Sequence, residues 1–250
     1  TFKGGIDDLR IYDRALSDKE MFGLYQLERP FHPLDSVSGI KLWLDATNID
    51  GKQNMTLNSG SNISEWKDLS GNENNAISLT NGSSILISSH SNFGDKSVIT
   101  FDDDITTNSG FDIPEMFSSS PNAITGLIVF RGTKSTLNER NNGMWHFGSQ
   151  TTAMTHFGSD ISWEGGGYDD FAMNNRPKTV GAGIIKTNKT QIYFIQNDGS
   201  NWSTYVDGIP QLSGPSGGIN VATSPTIGYM QAHSKEHFKG QIAEIIILDK

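Results

Sequence analysis

Short apolar segments, separated by stretches rich in Gly, Asn, Ser and Asp, fill most of this sequence. Sequences such as Asn197-Asp198-Gly199 and Asp207-Gly208 supply the positive-φ turns that antiparallel hairpins need. We predict strands at residues 40–44, 85–88, 97–101, 124–130, 144–147, 180–185, 191–196, 203–206, 226–229 and 241–248. Many short strands joined by such turns predict an all-β fold of two packed antiparallel sheets.

Composition excludes several classes of partner. The chain has 250 residues, a formal charge of -9 at pH 7 and no cysteine. Nucleic acid is excluded because phosphate binding needs clustered Lys and Arg, and no such cluster is present. Membrane insertion is excluded because no apolar run approaches the length that spans a bilayer. The absence of cysteine excludes disulfides and thiolate metal sites.

Two segments of the chain resemble each other. Residues 2–14 (FKGGIDDLRIYDR) and 238–250 (FKGQIAEIIILDK) are identical at six of thirteen positions, and most of the differences are conservative. Their separation is too long for a solenoid repeat, so we interpret them as the last strands of two domains of one type. The sequence is therefore expected to be part of a tandem array.

A short helix and a domain junction follow the first copy. Ser17 and Glu20 form a capping-box pattern ahead of apolar residues 21–25, which predicts one short N-terminal helix. Pro30 and Pro33 cannot continue that helix. We therefore predict a remnant of a preceding domain with its junction at residues 1–34, and one β-sandwich domain at residues 35–250.

Several segments together resemble laminin-G-like domains of the concanavalin A-like lectin/glucanase superfamily. The segments resemble, in chain order, the opening (IKLWLDA at 40–46 and ISEWKDLSGNENNA at 63–76), a core strand (VITFD at 98–102), a late hairpin (STYVDG at 203–208) and the closing strand (FKGQIAEI at 238–245). The resemblance implies a two-sheet jelly-roll sandwich, extracellular or at the cell surface. It also implies non-catalytic binding of glycans or proteins, with calcium nearby.

The sequence DLSGNEN at 68–74 is the candidate calcium site. It places carboxylate and amide oxygens around a glycine, which suits a hard cation in a bent loop. The resemblance implies a further carboxylate from the closing strand. In the closing strand, Ala243-Glu244 takes the place of Asp7-Asp8 of the first copy, so one of the two carboxylates is missing. The candidate ligands are Asp68, Asn72, Asn74 and Glu244. The alternative is that Asp68 and Asn72 only form hydrogen-bonded Asx turns.

A glycine-rich loop is the candidate glycan contact. Sugar rings stack on aromatic faces while polar groups bind their hydroxyls, and this loop combines both kinds of side chain. The candidate ligand-binding residues are Trp163, Glu164, Tyr168, Asp169 and Asp170. The alternative is that the aromatic residues of this loop only close the edge of the sandwich.

Patterns typical of catalysis are absent or lie in the wrong context. Residues 214–218 match G-x-S-x-G but lie in a Pro- and Gly-rich loop, whereas a nucleophile elbow needs a strand before it and a helix after it. The E-x-D-x-E arrangement that glycosidases of the resembling superfamily use is missing. We expect the chain not to be an enzyme.

These observations predict a non-catalytic glycan-binding or adhesion module of a large multidomain surface or secreted protein. Its expected partners are a polysaccharide or glycoprotein glycan and neighbouring domains of the same chain. The alternative is a structural spacer or assembly domain that contacts only proteins. A glycosidase or polysaccharide lyase on the same fold is less favoured, because the carboxylate arrangement is missing.

Overall fold

The computed structural model describes residues 11–17, 20–21, 33–79, 84–101, 109–133, 143–147, 155–156, 188–215, 219, 224–229 and 238–250. The chain divides into two compact units, Thr1–Ser38 and Gly39–Lys250. The predicted domain boundary after residue 34 stays a prediction. Within the described residues, no helix is both long enough and apolar enough to cross a membrane.

The first unit contains the predicted capping box. The backbone N–H of Ser17 donates to Glu20 Oε2 at 2.9 Å, and the N–H of Glu20 donates to Ser17 Oγ at 3.3 Å. The N–H of Met21 donates to the carbonyl of Ser17 at 2.9 Å, which is an α-helical bond. Glu20 and Met21 are helical, and the rest of the predicted helix lies outside the described residues. Of the predicted leader strand only Ile11 and Tyr12 are described, and neither lies in a strand.

The second unit is built from short antiparallel strands. Their bounds are β1 Ile40–Asp45, β2 Glu65–Trp66, β3 Ala76–Ser78, β4 Ile85–His90, β5 Lys96–Phe101, β6 Phe111–Asp112, β7 Ile124–Gly132, β8 Gly143–His146, β9 Thr155–His156, β10 Gln191–Asn197, β11 Asn201–Val206, β12 Ile209–Pro215, β13 Thr226–Ile227 and β14 Gly240–Leu248. Three-residue 3-10 helices lie at Ala46–Asn48 and Ser91–Phe93, and a four-residue one lies in the first unit at Pro33–Ser36.

The strands form two sheets. Among the described residues, the larger sheet has the order β12-β11-β10-β7-β14-β5-β4, with β1 also paired to β14. The smaller sheet has the order β2-β3-β6-β13-β8-β9. One side of β14 pairs with β7, and its other side pairs first with β5 and then with β1. Strand β14 therefore joins both halves of the larger sheet.

A single aromatic-rich core packs the sandwich. Trp66, Phe111 and Phe101 form a chain of edge-to-face contacts, with ring centroids 6.1 and 5.9 Å apart. The ring centroid of Trp145 in the smaller sheet lies 6.2 Å from that of Tyr193 in the larger sheet. Strands from both sheets contribute to this buried cluster, so the two-sheet, all-β fold predicted from the sequence is confirmed.

Most predicted strands lie within strands of the structure, with three exceptions. The prediction at residues 144–147 runs one residue beyond β8, which ends at His146. The prediction at residues 180–185 lies outside the described residues. The predicted strand at 226–229 is shorter, because only Thr226–Ile227 is in a strand. Gly228 follows it at φ 79°, and a Cβ there would lie 2.4 Å from the ring of Phe101. The chain therefore leaves the strand at a glycine that the core requires.

Candidate ligand-binding face

The face of the larger sheet that points away from the core contains a row of apolar side chains. Side chains alternate along a strand, so the neighbours of core residues point outward. Outward-pointing residues of consecutive strands lie opposite each other in the antiparallel register. We call them the apolar row: Trp43, Ile246, Leu127, Phe194, Tyr205 and Pro210.

The apolar row changes from buried to exposed along its length. Trp43 and Ile246 are only 8% and 7% exposed, although neither belongs to the main core cluster. Leu127, Phe194 and Tyr205 are partly buried. The rings of Phe194 and Tyr205 meet edge to face, with centroids 5.4 Å apart. This end of the row therefore presents adjacent aromatic surface that is partly exposed to solvent.

A second row of uncharged polar side chains runs beside the apolar row. Its members lie two residues from the apolar-row member of the same strand, or three on β12, where the register shifts. They are opposite each other in register. We call it the neutral polar row: Thr125, Gln196, Ser203 and Ser213. Gln196 and Ser213 are exposed, and Ser203 is partly exposed. Amide and hydroxyl groups both donate and accept hydrogen bonds, so this row can bind the hydroxyls of a ligand.

Carboxyl groups lie on the other side of the apolar row. Asp45 and Glu244 are opposite each other on β1 and β14. Along the same line, Glu244 is opposite Val129, and Val129 is opposite Ile192. Asp207 ends this line, where its Oδ1 accepts the backbone N–H of Ile192 at 2.9 Å. This edge of the face therefore carries negative charge.

The carboxyl of Glu244 is coupled to the apolar row. Its Oε1 accepts a hydrogen bond from the indole Nε1 of Trp43 at 3.0 Å. Burial raises the pKa of Glu244, the hydrogen bond from Trp43 opposes that rise, and the nearby charge of Asp45 adds to it. The net result is a pKa above the ordinary value for glutamic acid.

The pKa of Asp207 is shifted in the opposite direction to that of Glu244. Burial alone would raise the pKa of its carboxyl, but the backbone N–H of Ile192 and the ammonium of Lys189 outweigh that effect. The pKa of Asp207 is therefore lowered, and the group stays ionised at neutral pH. Lys189 Nζ lies 3.1 Å from Asp207 Oδ2.

Asp68, the first predicted calcium ligand, accepts four hydrogen bonds from its own surroundings. Its Oδ1 accepts the backbone N–H groups of Trp43 and Ser70, each at 2.9 Å. Its Oδ2 accepts the hydroxyl of Ser70 at 2.8 Å and the backbone N–H of Asn74 at 3.0 Å. Four donors match the acceptor capacity of a carboxylate, so the loop is held together by hydrogen bonds of the Asx type.

The other three predicted calcium ligands contact residues of strand β1. Asn72 Nδ2 donates to the carbonyl of Ile40 at 2.7 Å, and Asn74 Nδ2 donates to the carbonyl of Lys41 at 2.8 Å. Glu244 contacts the indole of Trp43, whose backbone binds Asp68. In the described part of the chain, no group of three or more His, Cys, Asp or Glu is placed to hold a metal ion.

Calcium binding at Asp68 stays a prediction. It is tested by comparing the melting temperature in calcium with that in chelator. An ion that binds only the native state raises the melting temperature. A rise in calcium that is lost in the D68N variant supports a calcium site, and identical curves support a loop held by hydrogen bonds alone.

The predicted glycan-contact loop, with Trp163, Glu164, Tyr168, Asp169 and Asp170, lies outside the described residues. Sequence reasoning did not find the apolar row. Its signal was available, because the runs LWL at 42–44, YFI at 193–195 and III at 245–247 are continuously apolar. Continuous apolar runs indicate strands that are apolar on both faces, whereas simple alternation indicates one solvated face.

Solved structures, but no sequence families, match this chain. No protein-family model matches it, and neither does any curated protein sequence. Domain 4 of AbnA, a GH43 extracellular arabinanase from Geobacillus stearothermophilus solved in complex with arabinotriose, is 16% identical. That match has a TM-score of 0.55 and covers 84% of this chain and 92% of the other.

Two toxin binding domains match at a similar level. The binding domain of Paraclostridial Mosquitocidal Protein 1 is 14% identical, with a TM-score of 0.56 over 85% of this chain and 49% of that one. The binding domain of Botulinum Neurotoxin DC, in complex with SialylT, is 13% identical, with a TM-score of 0.56 over 85% of this chain and 48% of that one. Likeness at these identities shows a shared β-sandwich fold. The laminin-G-like family stays a prediction.

Proposed function

We propose that residues 39–250 form a non-catalytic glycan-binding module of a multidomain protein at the cell surface or in the extracellular space. The observation that carries the proposal is the apolar row, with the partly exposed rings of Phe194 and Tyr205 beside the neutral polar row. Apolar and aromatic surface with a few placed polar groups is the usual composition of a small-ligand site.

The matching structures support the same proposal. The arabinanase domain is described with arabinotriose, and the neurotoxin binding domain is described with SialylT. Both are β-sandwich domains that cover most of this chain. The fold alone does not determine function, so the argument depends on the side chains of the outer face.

A glycan array tests the proposal with a matched pair of variants. Ile192 lies on the outer face of the larger sheet and is 43% exposed, whereas Ile77 lies on the smaller sheet and is 48% exposed. We expect I192A and Y205A to weaken binding of the best array ligand by about tenfold or more. We expect I77A to bind as the unsubstituted chain does. Equal effects of I192A and I77A would contradict the assignment to this face.

The same array tests the loop predicted from the sequence. Loss of binding in a W163A/Y168A variant, with I192A unaffected, would assign the glycan to that loop. Loss of binding in both W163A/Y168A and I192A would assign the glycan to the loop and the outer face together. A blank array with a folded protein would support the alternative of a spacer or assembly domain.

The non-catalytic part of the proposal has its own test. Array-positive oligosaccharides are incubated with the protein and the products are separated by chromatography. We expect the oligosaccharides to be recovered intact. Cleavage that persists after further purification of the protein would overturn this part and favour the glycosidase or lyase alternative.

A further inference from the structure

We infer that the outer face binds an extended, uncharged polysaccharide chain that lies across the strands, and that it rejects carboxylated chains of the same length. The inference depends on the proposed function and adds the class and orientation of the ligand.

The apolar row runs across the sheet, because its members are paired in register from strand to strand. It extends over β1, β14, β7, β10, β11 and β12. Trp43 and Ile246 are buried, so a ligand can contact the row only from Leu127 on β7 to Pro210 on β12. Neighbouring strands lie about 4.8 Å apart, so this four-strand part of the row is about 14 Å long. A single sugar covers only part of that length. An extended chain of several sugars therefore matches the row better than a terminal monosaccharide does.

The neutral polar row follows the same direction over four of these strands. Thr125, Gln196 and Ser203 are paired in sequence across β7, β10 and β11, and Ser203 is paired with Ser213 on β12. Thr125 Oγ1 donates to the carbonyl of Lys250 at 2.5 Å. Every polar side chain in this row is uncharged. A chain whose ring faces lie on the apolar row would direct hydroxyl groups toward these amide and hydroxyl groups.

The opposite edge disfavours a negatively charged ligand. Asp45 and Glu244 lie directly opposite each other beside Trp43, and Asp207 lies at the far end of the same line. A bound carboxylate would add a like charge next to Asp45 and Glu244, which are partly buried, so water screens the repulsion weakly there. The formal charge of -9 for the whole chain acts in the same direction.

Three cationic side chains near the two rows already form hydrogen bonds or ion pairs within the protein. Arg131 donates through Nη1 to Gln241 Oε1 at 3.0 Å and through Nη2 to Asn188 Oδ1 at 3.1 Å. Lys41 Nζ lies 2.9 Å from Asp249 Oδ2, and Lys189 pairs with Asp207. A sugar carboxylate would have to break the ion pair of Lys41 or of Lys189 to gain that ammonium as its partner.

The test compares neutral and carboxylated chains of matched length. Titration calorimetry uses neutral glucan, mannan and galactan oligosaccharides from disaccharide to octasaccharide, together with counterparts in which the sugars are uronic acids. We expect at least one neutral series to bind, with affinity rising along the series until the row is filled. We expect its carboxylated counterpart to bind at least tenfold more weakly, with the difference shrinking at high salt as repulsion is screened.

Variants connect that result to this face. Q196A and S203A replace solvent-facing side chains of the neutral polar row, and we expect each to lower affinity for the longer chains more than for the disaccharide. I77A on the smaller sheet is the control. Equal or tighter binding of a carboxylated series, or affinity that does not change with length, would overturn the inference while leaving glycan binding intact. If none of these chains binds but the glycan array is positive, the inference fails and the proposed function stands; if the array is blank as well, both fail.

Discussion

The indole Nε1 of Trp43 donates a hydrogen bond to Glu244 Oε1, and the backbone N–H of the same tryptophan donates to Asp68 Oδ1. One residue of β1 therefore connects the predicted calcium loop to the carboxyl group beside the apolar row. Glu244 is 201 positions away from Trp43 in the chain, so this connection exists only in the folded sheet.

Replacing Glu244 by Gln should make stability less dependent on pH. The pKa of Glu244 is raised in the folded state, so folding favours its protonated form. Stability is therefore lost as the pH rises from the ordinary value of 4.5 through the raised pKa, and the loss persists at higher pH. E244Q cannot ionise and keeps an oxygen that accepts from Trp43. We expect a higher melting temperature for E244Q at pH 7 and a smaller difference at pH 4.

Calorimetric melting curves across this pH range measure the effect. The control is E115Q, because Glu115 is exposed and its substitution should leave the curve unchanged. A melting temperature for E244Q below that of the unsubstituted chain at pH 7 would contradict the prediction.

Replacing Trp43 by Phe should destabilise the protein through the lost donor. The smaller phenyl ring removes volume, and in addition the carboxyl of Glu244 loses its hydrogen bond, at a cost of about 1–3 kcal/mol at neutral pH. The loss should shrink at acid pH, because a protonated carboxyl accepts a weaker hydrogen bond. Denaturant unfolding at both pH values provides the measurement.

Trp66 supplies the control for that experiment. Its Nε1 is buried and has no hydrogen-bond partner in the described part of the chain. W66F therefore removes similar volume without breaking a hydrogen bond to a carboxyl group, and its cost should not vary with pH. The same pH dependence in both variants would rule out Glu244 as the cause.

Replacing Asp68 by Ala should unfold the loop at residues 68–74. Four donors lose their acceptor, and we expect a loss of about 2–4 kcal/mol. For a domain of this size that corresponds to a fall in melting temperature of about 4–16 °C. E73Q, in the same loop but exposed, should change stability by no more than about 0.5 kcal/mol. A D68A variant as stable as E73Q would show that these hydrogen bonds contribute little.

Replacing Gly228 by Ala should cost more than replacing Gly208. Both residues have similar backbone conformations, with φ 79° and 76°, so the strain of a left-handed alanine is similar in both. A Cβ at Gly228 would collide with Phe101, whereas nothing lies within 4 Å of a Cβ at Gly208. We expect G228A to be less stable than G208A by about 1–3 kcal/mol, measured by urea unfolding. Equal losses would show that the core adjusts to the extra methyl group.

The class of fold could be predicted from the sequence, because the evidence for it is local. The length of an apolar segment and the turn residues beside it, such as Asp207-Gly208, define strands without knowledge of their partners. The capping box of Ser17 and Glu20 was equally local, and its hydrogen bonds are present.

The binding face could not be predicted in the same way. Phe194 and Tyr205 lie on one hairpin, but Trp43 joins their row only through the register of β1, β14, β7 and β10. Register between distant strands depends on packing of the whole sheet, since a shift by one residue turns every side chain to the other face. One donor to Asp68, the backbone N–H of Trp43, is likewise placed by the approach of β1.

The central place of β14 in the larger sheet has a consequence for synthesis. The strand that joins the two halves of that sheet is also the last strand of its unit, ending at Leu248. While a ribosome is still adding those residues, β1 and β7 lack the neighbour that each of them pairs with. The pairing of the larger sheet is therefore completed only once β14 has left the ribosome.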